Sequence, residues 1–276
     1  MTMRTEIAIF EMASRFQTLS DELFYNKKAY PINYPFSSTS SSLPPFLPSS
    51  LTCLGDSIYS YIKTSDPSLI RKYVSFIPRP MMKPLIVAIA SIEYSMRYDY
   101  PFTIFSHQAI YQNSASSDTV MMETQEDYIK ETLGIYQLPP IIKTITIGVR
   151  HDGNNHFLML SELGDIRVDK RLKWKLSEIM GIPKHAIKRH FHINDPSFDP
   201  VRNLGLAPGN VGPFPYFIRE LEYILFLKNK TLCEFVAIRF TPFDTLIISE
   251  ILFEMLMMAY LKWKGKEIIF IEIPDN

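Results

Sequence analysis

"IIKTITIGVRHDGNNHFLMLSEL", residues 141 to 163, decides the fold class. Its first nine residues have the alternating character of a half-buried strand, "RHDGNN" supplies turn chemistry, and "HFLMLSEL" returns as a second strand. The stretch therefore predicts a β-hairpin. Working outward, "PFTIFSH" from Pro101, "YILFLKN" from Tyr223, "VAIRF" from Val236 and "KEIIFIEI" from Lys266 read as further strands. Helical patterns lie between them. "TQEDYIKETLGI" is closed by Gly134, and "VDKRLKWKLSEIMGI" places Val168, Leu172, Leu176, Ile179 and Met180 at helical spacing before Gly181 ends it. "PFDTLIISEILFEMLMMAYLKWKG" reads as one helix with Asp244 near its start and Lys262, Lys264 and Lys266 around its end, matching the helix dipole. The class this implies is α+β.

The first eighty residues have a different texture. Residues 31–52, "PINYPFSSTSSSLPPFLPSSLT", are almost purely Pro, Ser, Thr and scattered aromatics, a composition that cannot sustain a helix and marks a linker. Residues 1–30 hold a candidate amphipathic helix or arm over 5–25, and residues 53–80 read as a helical extension. "MMKPLIVAIASIEYSMRY" is one more helix, set off by Pro78, Pro80 and Pro84.

Lysine plus arginine equals aspartate plus glutamate at 29 each, so no global positive field draws in nucleic acid, and any such contact must come from a local patch. Hydrophobic residues at 46% and charged residues at 21% are ordinary for a globular protein. Cys53 and Cys233 lack the CxxC spacing of a zinc or redox site, which sets a reducing, cytoplasmic location as the expectation. The N-terminal residues do not read as a secretory signal. The most apolar stretch, from Leu246, is interrupted by Glu250 and Glu254 and falls short of the ~20 residues of a membrane span, so no membrane partner is expected.

"NLGLAPGNVGPFPYF", residues 203 to 217, gathers three of the chain's ten glycines and three prolines without a charge. Glycine admits close backbone approach and proline removes a donor while fixing φ, so the segment is a rigid loop that either turns a corner or holds a ligand.

Taken in order, these pieces resemble the YbaK-type aminoacyl-tRNA editing domain, which also occurs as an insertion in bacterial prolyl-tRNA synthetases. "FSHQAI" looks like the family's early strand ending in histidine, here His107. "YIKETLGIYQLPPIIKTITIGV" looks like its helix, LG turn and KT-containing strand, and "SELGDIRVDKRLKWKLSEIMGI" resembles the next strand and helix. "LGLAPGNVGPF" supplies its GxxxP loop as Gly209 to Pro213, and "VAIRFTPFDTLI" resembles its closing strand and helix. The resemblance covers residues 101 to 260 and leaves residues 1 to about 80 outside. It implies a curved mixed β-sheet surrounded by helices over residues 81–276, a trans-editing hydrolase that protects translation fidelity by deacylating mischarged aminoacyl-tRNA, and no cofactor or metal. An aminoacyl-tRNA synthetase is a second candidate partner.

Residue roles follow from the same resemblance. The catalytic set is Lys143, Gly209, Gly212 and Pro213, with Lys143 contacting the terminal adenosine and phosphate region and the loop's backbone facing the ester. A tetrahedral oxyanion can be stabilised by fixed backbone donors without a side chain, which accounts for the lack of a Gly-x-Ser-x-Gly elbow or a cysteine-histidine signature. His107, Val211, Phe214, Cys233 and Glu234 are the substrate-pocket candidates. Several family members carry a glycine, sometimes followed by histidine, between the last two core strands; "LKNKTLCEFVAIRF" contains neither, which assigns that wall to Cys233 or Glu234. From the residues alone Lys143 is either turned inward toward an anion or carbonyl, or outward on a half-exposed strand.

Two more constellations remain. Lys173, Lys184, Lys188 and Arg189 belong to a local basic excess with Trp174 and Phe191 nearby, suited to the tRNA acceptor stem or to a solvated helix face. His185, His190 and His192 suggest a rival metal-dependent hydrolase, since alternate residues of an extended segment share a face. A catalytically inactive tRNA- or synthetase-binding protein of the same fold is the other rival.

Overall fold

The computed structural model describes residues 3–24, 54–74, 82–106, 139–151, 154–163, 170–193, 212–214, 221–229, 234–240, 244–266 and 268–273. Four helices come first: α1 (Met3–Phe24), α2 (Leu54–Thr64), α3 (Ser68–Val74) and α4 (Met82–Tyr98). Strand β1 (Phe102–Ser106) and the hairpin β2 (Ile142–His151) and β3 (Asn154–Leu163) follow. Next are α5 (Lys170–Ile179), a 3-10 turn (Lys184–Ala186), α6 (Ile187–His190), and strands β4 (Phe191–Ile193), β5 (Leu221–Asn229), β6 (Phe235–Arg239) and β7 (Asp244–Ser249). Helix α7 (Glu250–Lys264) and β8 (Ile268–Ile273) close the order. The architecture is α+β, as the alternation of patterns implies. The helix expected over 124–135 and the linker over 31–52 lie outside the described residues.

The quoted stretch forms the expected hairpin, antiparallel from Ile142 opposite Leu163 to His151 opposite Asn154, which leaves only Asp152 and Gly153 to connect the strands. It is the centre of a five-stranded sheet ordered β4-β2-β3-β5-β8, in which β4 and β3 flank β2 antiparallel while β3, β5 and β8 run parallel. Parallel neighbours need crossovers, and these are supplied by the α5–β4 segment and by the β6–α7 segment. A second sheet, β1-β7-β6, is antiparallel throughout. The sheets meet where the Ala237 N–H donates to the Pro140 carbonyl at 2.9 Å and Ile141 bridges Ala237.

One correction concerns the last long apolar run. Residues 244–249 are strand β7, and the helix begins only at Glu250. The β-branched residues Thr245, Ile247 and Ile248 suit a strand held between β1 and β6. Ser249 then starts the helix: its backbone is extended (φ −63°, ψ 146°) and its Oγ accepts from the Leu252 N–H at 3.3 Å. Gly265 ends it in the left-handed region at φ 64°, its N–H donating to the Lys262 carbonyl.

Helix α7 is apolar around most of its circumference: Leu252, Phe253, Met255, Leu256, Met257, Ala259, Tyr260 and Leu261 are all buried. A helix of that kind must be covered on several sides. Helix α1 covers one with Ala8, Ile9, Met12, Phe16, Leu19 and Leu23 at helical spacing. Helix α4 contributes Leu85, Ile86, Ile89 and Ile92, and the sheets contribute Ile142, Phe226, Val236, Ile238 and Ile248 to the same core. An edge-to-face pair binds sheet to helix, Phe226 of β5 on Phe253 of α7 at 5.3 Å.

The helices read as an extension, α1 and α2, thus share one core with residues 82–92 and 236–261. Polar contacts reinforce this. Arg15 Nε donates to Glu93 of α4 at 2.8 Å, Tyr61 of α2 donates its hydroxyl to Glu22 at 2.5 Å, and Arg71 of α3 donates to the Glu22 carbonyl at 2.7 Å. The apolar stripe that makes α1 look separable in the sequence is the surface α7 and α4 require.

Phe16, fully buried and 5.7 Å from the Trp263 ring, tests the shared core. Phe16→Ala should cost about 3–5 kcal/mol in urea unfolding, with tryptophan fluorescence and far-UV circular dichroism moving to the same new midpoint. A cost near zero would mean that α1 folds apart from the rest.

Alkaline pH provides a second test. Burial, with the Glu22 hydrogen bond adding to it, pushes the Tyr61 hydroxyl up to about 12, against about 10 for an unfolded tyrosine. The folded state therefore holds this proton more tightly, and the stability that follows is complete below pH about 10 and lost as pH rises toward about 12. Between those limits unfolding free energy should fall more steeply in the parent protein than in Tyr61→Phe.

Candidate functional site

Alternation along β2 sets the geometry of the site. Ile142 faces the main core, whereas Ile147, of opposite parity, is fully buried outside it. Leu172 and Leu176 of α5, Ile182, and Ile187 of α6 are likewise buried outside the main core, and α6 packs against β2. The α5–α6 segment is thus the second layer over the sheet. Lys143 has the parity of Ile147, so it lies on that second face, half-buried and opposite Glu162 in the hairpin register.

Helix α5 forms for the reason its spacing implies: Leu172 and Leu176 fall on one side, and Gly181 at φ 66° turns the chain while the Ile182 N–H returns to the Ser177 carbonyl at 2.7 Å. Its outer side is basic. Lys170 and Lys175 are exposed, Lys173 is half-exposed, and the Lys170 ammonium lies 4.7 Å from the ring centre of Trp174, itself 40% exposed. The Lys175–Glu178 pair at 3.8 Å is solvated on both sides and worth little. Lys188 and Arg189 extend the exposed basic surface along α6, and Lys184 begins the 3-10 turn between α5 and α6.

Helix electrostatics make this arrangement informative. The first turn of α5 holds Lys170, Arg171 and Lys173 and no acid, placing positive charge at the positive end of the dipole. That choice costs stability and suits an anionic partner. On α6 the same residue types fall in the last turn, where they are favourable.

The GxxxP loop is described only at its end. Gly212 is half-buried and Pro213 buried, and Phe214 is a core residue 2% exposed, edge-on to Tyr260 at 5.3 Å and Phe253 at 6.2 Å. Phe214, a substrate-pocket candidate, packs by its ring against α7. Glu234 is exposed, and its carbonyl accepts from the Glu250 N–H. His107, Gly209, Val211 and Cys233 lie outside the described residues.

The histidines do not share one extended segment. His185 is in the 3-10 turn, His190 ends α6 and His192 lies in β4, so the alternate-residue chelation argument does not apply. Among the described residues no group of three or more His, Cys, Asp or Glu is placed to hold a metal ion. Among them, too, no helix is long and apolar enough to cross a membrane.

Sequence reasoning missed a second basic-aromatic cluster. Lys83 and Lys264 both converge on Trp263, at 4.0 and 3.7 Å from the ring centre. The one available signal was the tripeptide Lys-Trp-Lys, present at 173–175 and again at 262–264. Comparison with models of known protein families gives no match to this chain, and comparison with curated proteins gives none either.

If the α5 cations serve a polyanion rather than stability, Lys173→Glu should stabilise the fold by about 0.3–1 kcal/mol while weakening binding of that polyanion. Removing charge at Lys188 and Arg189 should flatten the salt dependence of that binding, because each lost phosphate contact removes a released counterion. Melting curves and binding titrations at several salt concentrations check both effects.

Proposed function

We propose that this chain is a YbaK-type trans-acting deacylase that hydrolyses mischarged aminoacyl-tRNA, built on the curved mixed sheet that the family resemblance implies. The observation that carries this reading is the position of Lys143, half-buried in β2 on the sheet face away from the main core, where the basic α5–α6 segment packs. An ammonium there can meet the phosphate of a tRNA end whose acceptor stem lies along Lys173, Lys188 and Arg189. The segments that carry the resemblance include strand β1, the β2–β3 hairpin, helix α5 and strand β6, and where the resemblance implies a helix directly after the closing strand, β6 leads into a further strand, β7.

In this reading water attacks the ester carbonyl, aided by the free hydroxyl of the terminal ribose, and backbone donors of the Gly209–Pro213 loop stabilise the oxyanion. Collapse of the tetrahedral species breaks the ester C–O bond and releases amino acid and tRNA. Phe214 holds the loop by its buried ring, so the loop's backbone needs no ligand to be ordered at that end. A second reading, tRNA binding without hydrolysis, draws on the exposed Trp174 and the basic first turn of α5, which serve binding whether or not the loop is catalytic.

A panel of mischarged tRNAs tests the proposal. At least one should be deacylated, and Lys143→Ala should lower that rate by about 10- to 100-fold, the loss of one charge-assisted hydrogen bond, with the melting temperature nearly unchanged. Gly209→Ala and Gly212→Ala should each lower it by about 100- to 1,000-fold. Binding without turnover on every substrate would select the second reading, and parental rates in all three variants would remove the loop and Lys143 from the chemistry.

A further inference from the structure

Helix α1 is apolar on two opposite sides. The inner one, with Ala8, Ile9, Met12, Phe16, Leu19 and Leu23, is buried in the core shared with α4 and α7. The outer one is Met3, Ile7 and Phe10, spaced i, i+4 and i+7 along one helical stripe and 78%, 50% and 60% exposed. At about 100° per residue, the centre of this stripe lies roughly 180° from the centre of the buried one. Single surface apolar residues are ordinary, but three in a row on the crest of one helix form a continuous patch of the kind that marks an interaction surface. The core does not account for them, since α1 covers α7 with its other side.

The charges beside the stripe distinguish what can cover it. Arg4 and Glu11 are exposed, lie seven residues apart and border the same edge. The Tyr98 hydroxyl of α4 donates to the Glu11 carboxylate at 3.5 Å, and Tyr98, itself exposed, widens the apolar patch on that edge. On the other edge stand Glu6 and Lys262, whose ammonium lies 5.3 Å from the Phe10 ring centre. When two copies of one helix pack antiparallel about a two-fold axis, each edge faces the same edge of the partner running the other way. With that axis close to Ile7, Arg4 comes level with Glu11 of the second copy and Glu11 with its Arg4, while Ile7 meets Ile7 and Met3 meets Phe10. The stripe is thus complementary to itself in apolar contact and in charge. An anionic lipid surface fits less well, because helices that lie on membranes are rich in Lys and Arg on their polar side, whereas this stripe has an acid on each edge.

We propose that the outer stripe of α1 is a homodimer interface, in which α1 packs antiparallel against α1 of a second copy about a two-fold axis near Ile7. A two-fold contact closes on itself, so it yields a dimer and not a filament. The interface uses none of the residues assigned to the tRNA surface, to Lys143 or to the Gly209–Pro213 loop, and it stands whether or not the chain is a deacylase.

Sedimentation velocity of the full-length chain over a range of concentrations should show a monomer–dimer equilibrium. Ile7→Glu and Phe10→Glu each place a carboxylate in the contact twice by symmetry and should weaken the dimer by about tenfold or more. Both positions are exposed, so the melting temperature at concentrations where the parent is monomeric should stay at the parent value, which separates assembly from folding. A charge swap tests the antiparallel register. Arg4→Glu and Glu11→Arg should each weaken association, because each sets like charges opposite one another, and the double variant should restore it. A parent chain that stays monomeric at every concentration, a dimer that survives both Ile7→Glu and Phe10→Glu, or a double variant no tighter than either single one overturns the proposal. A monomer that co-sediments with phosphatidylserine vesicles also overturns it and assigns the stripe to a lipid surface.

Discussion

Helix α7 must be hidden from water on nearly every side, and the rest of the structure is arranged to do so. Eight of its apolar side chains are buried, each worth about 1.5–3 kcal/mol for a large residue taken from water. Cover comes from segments far along the chain as well as from its neighbours. The chain therefore brings α1 from the opposite end, so that Gln17 bonds Trp263 across 246 residues, and adds α4 and the inner faces of both sheets. Ser249 and Gly265 set where this helix starts and stops, and thus which residues need cover.

The same requirement fixes the sheet's orientation. Once Ile142 and Phe226 face α7, alternation turns Lys143, Ile145 and Ile147 the other way. That second face is covered by the α5–α6 layer, whose outer surface is basic and whose first helical turn runs against its own dipole. Lys143 lies on that face opposite Glu162, and the first turn of α5 carries Lys170, Arg171 and Lys173 with no acid. Phe214 packs against Phe253 and Tyr260 of α7, on the main-core side.

Much of this was legible without coordinates. The hairpin followed from period-two alternation around Asp152-Gly153, and α5 from Leu172 and Leu176 with Gly181 beyond them, because both signals depend only on nearby residues. The site was legible in its residue types: Lys143 and the basic run around Trp174 could be named. Residues 244–249 were misread as helix because Leu246, Ile247 and Ile248 fit either period in so short a run. That Phe214 packs on α7 was not legible, because an aromatic beside a glycine-proline loop has the same local sequence whether it lines a pocket or packs in a core.

By itself the sequence determined the α+β class, the positions of the hairpin and most helices, and the presence of a local basic surface on a neutral chain, since periodicity, turn chemistry and charge are local properties. Only the tertiary structure decided that β7 is a strand, through ladders to β1 and β6, and that α1 joins the core of α7. It alone brought Lys83 and Lys264 to one indole. These are contacts between residues far apart in the chain, chosen by which apolar surfaces can cover one another, and no window of neighbouring residues encodes that choice.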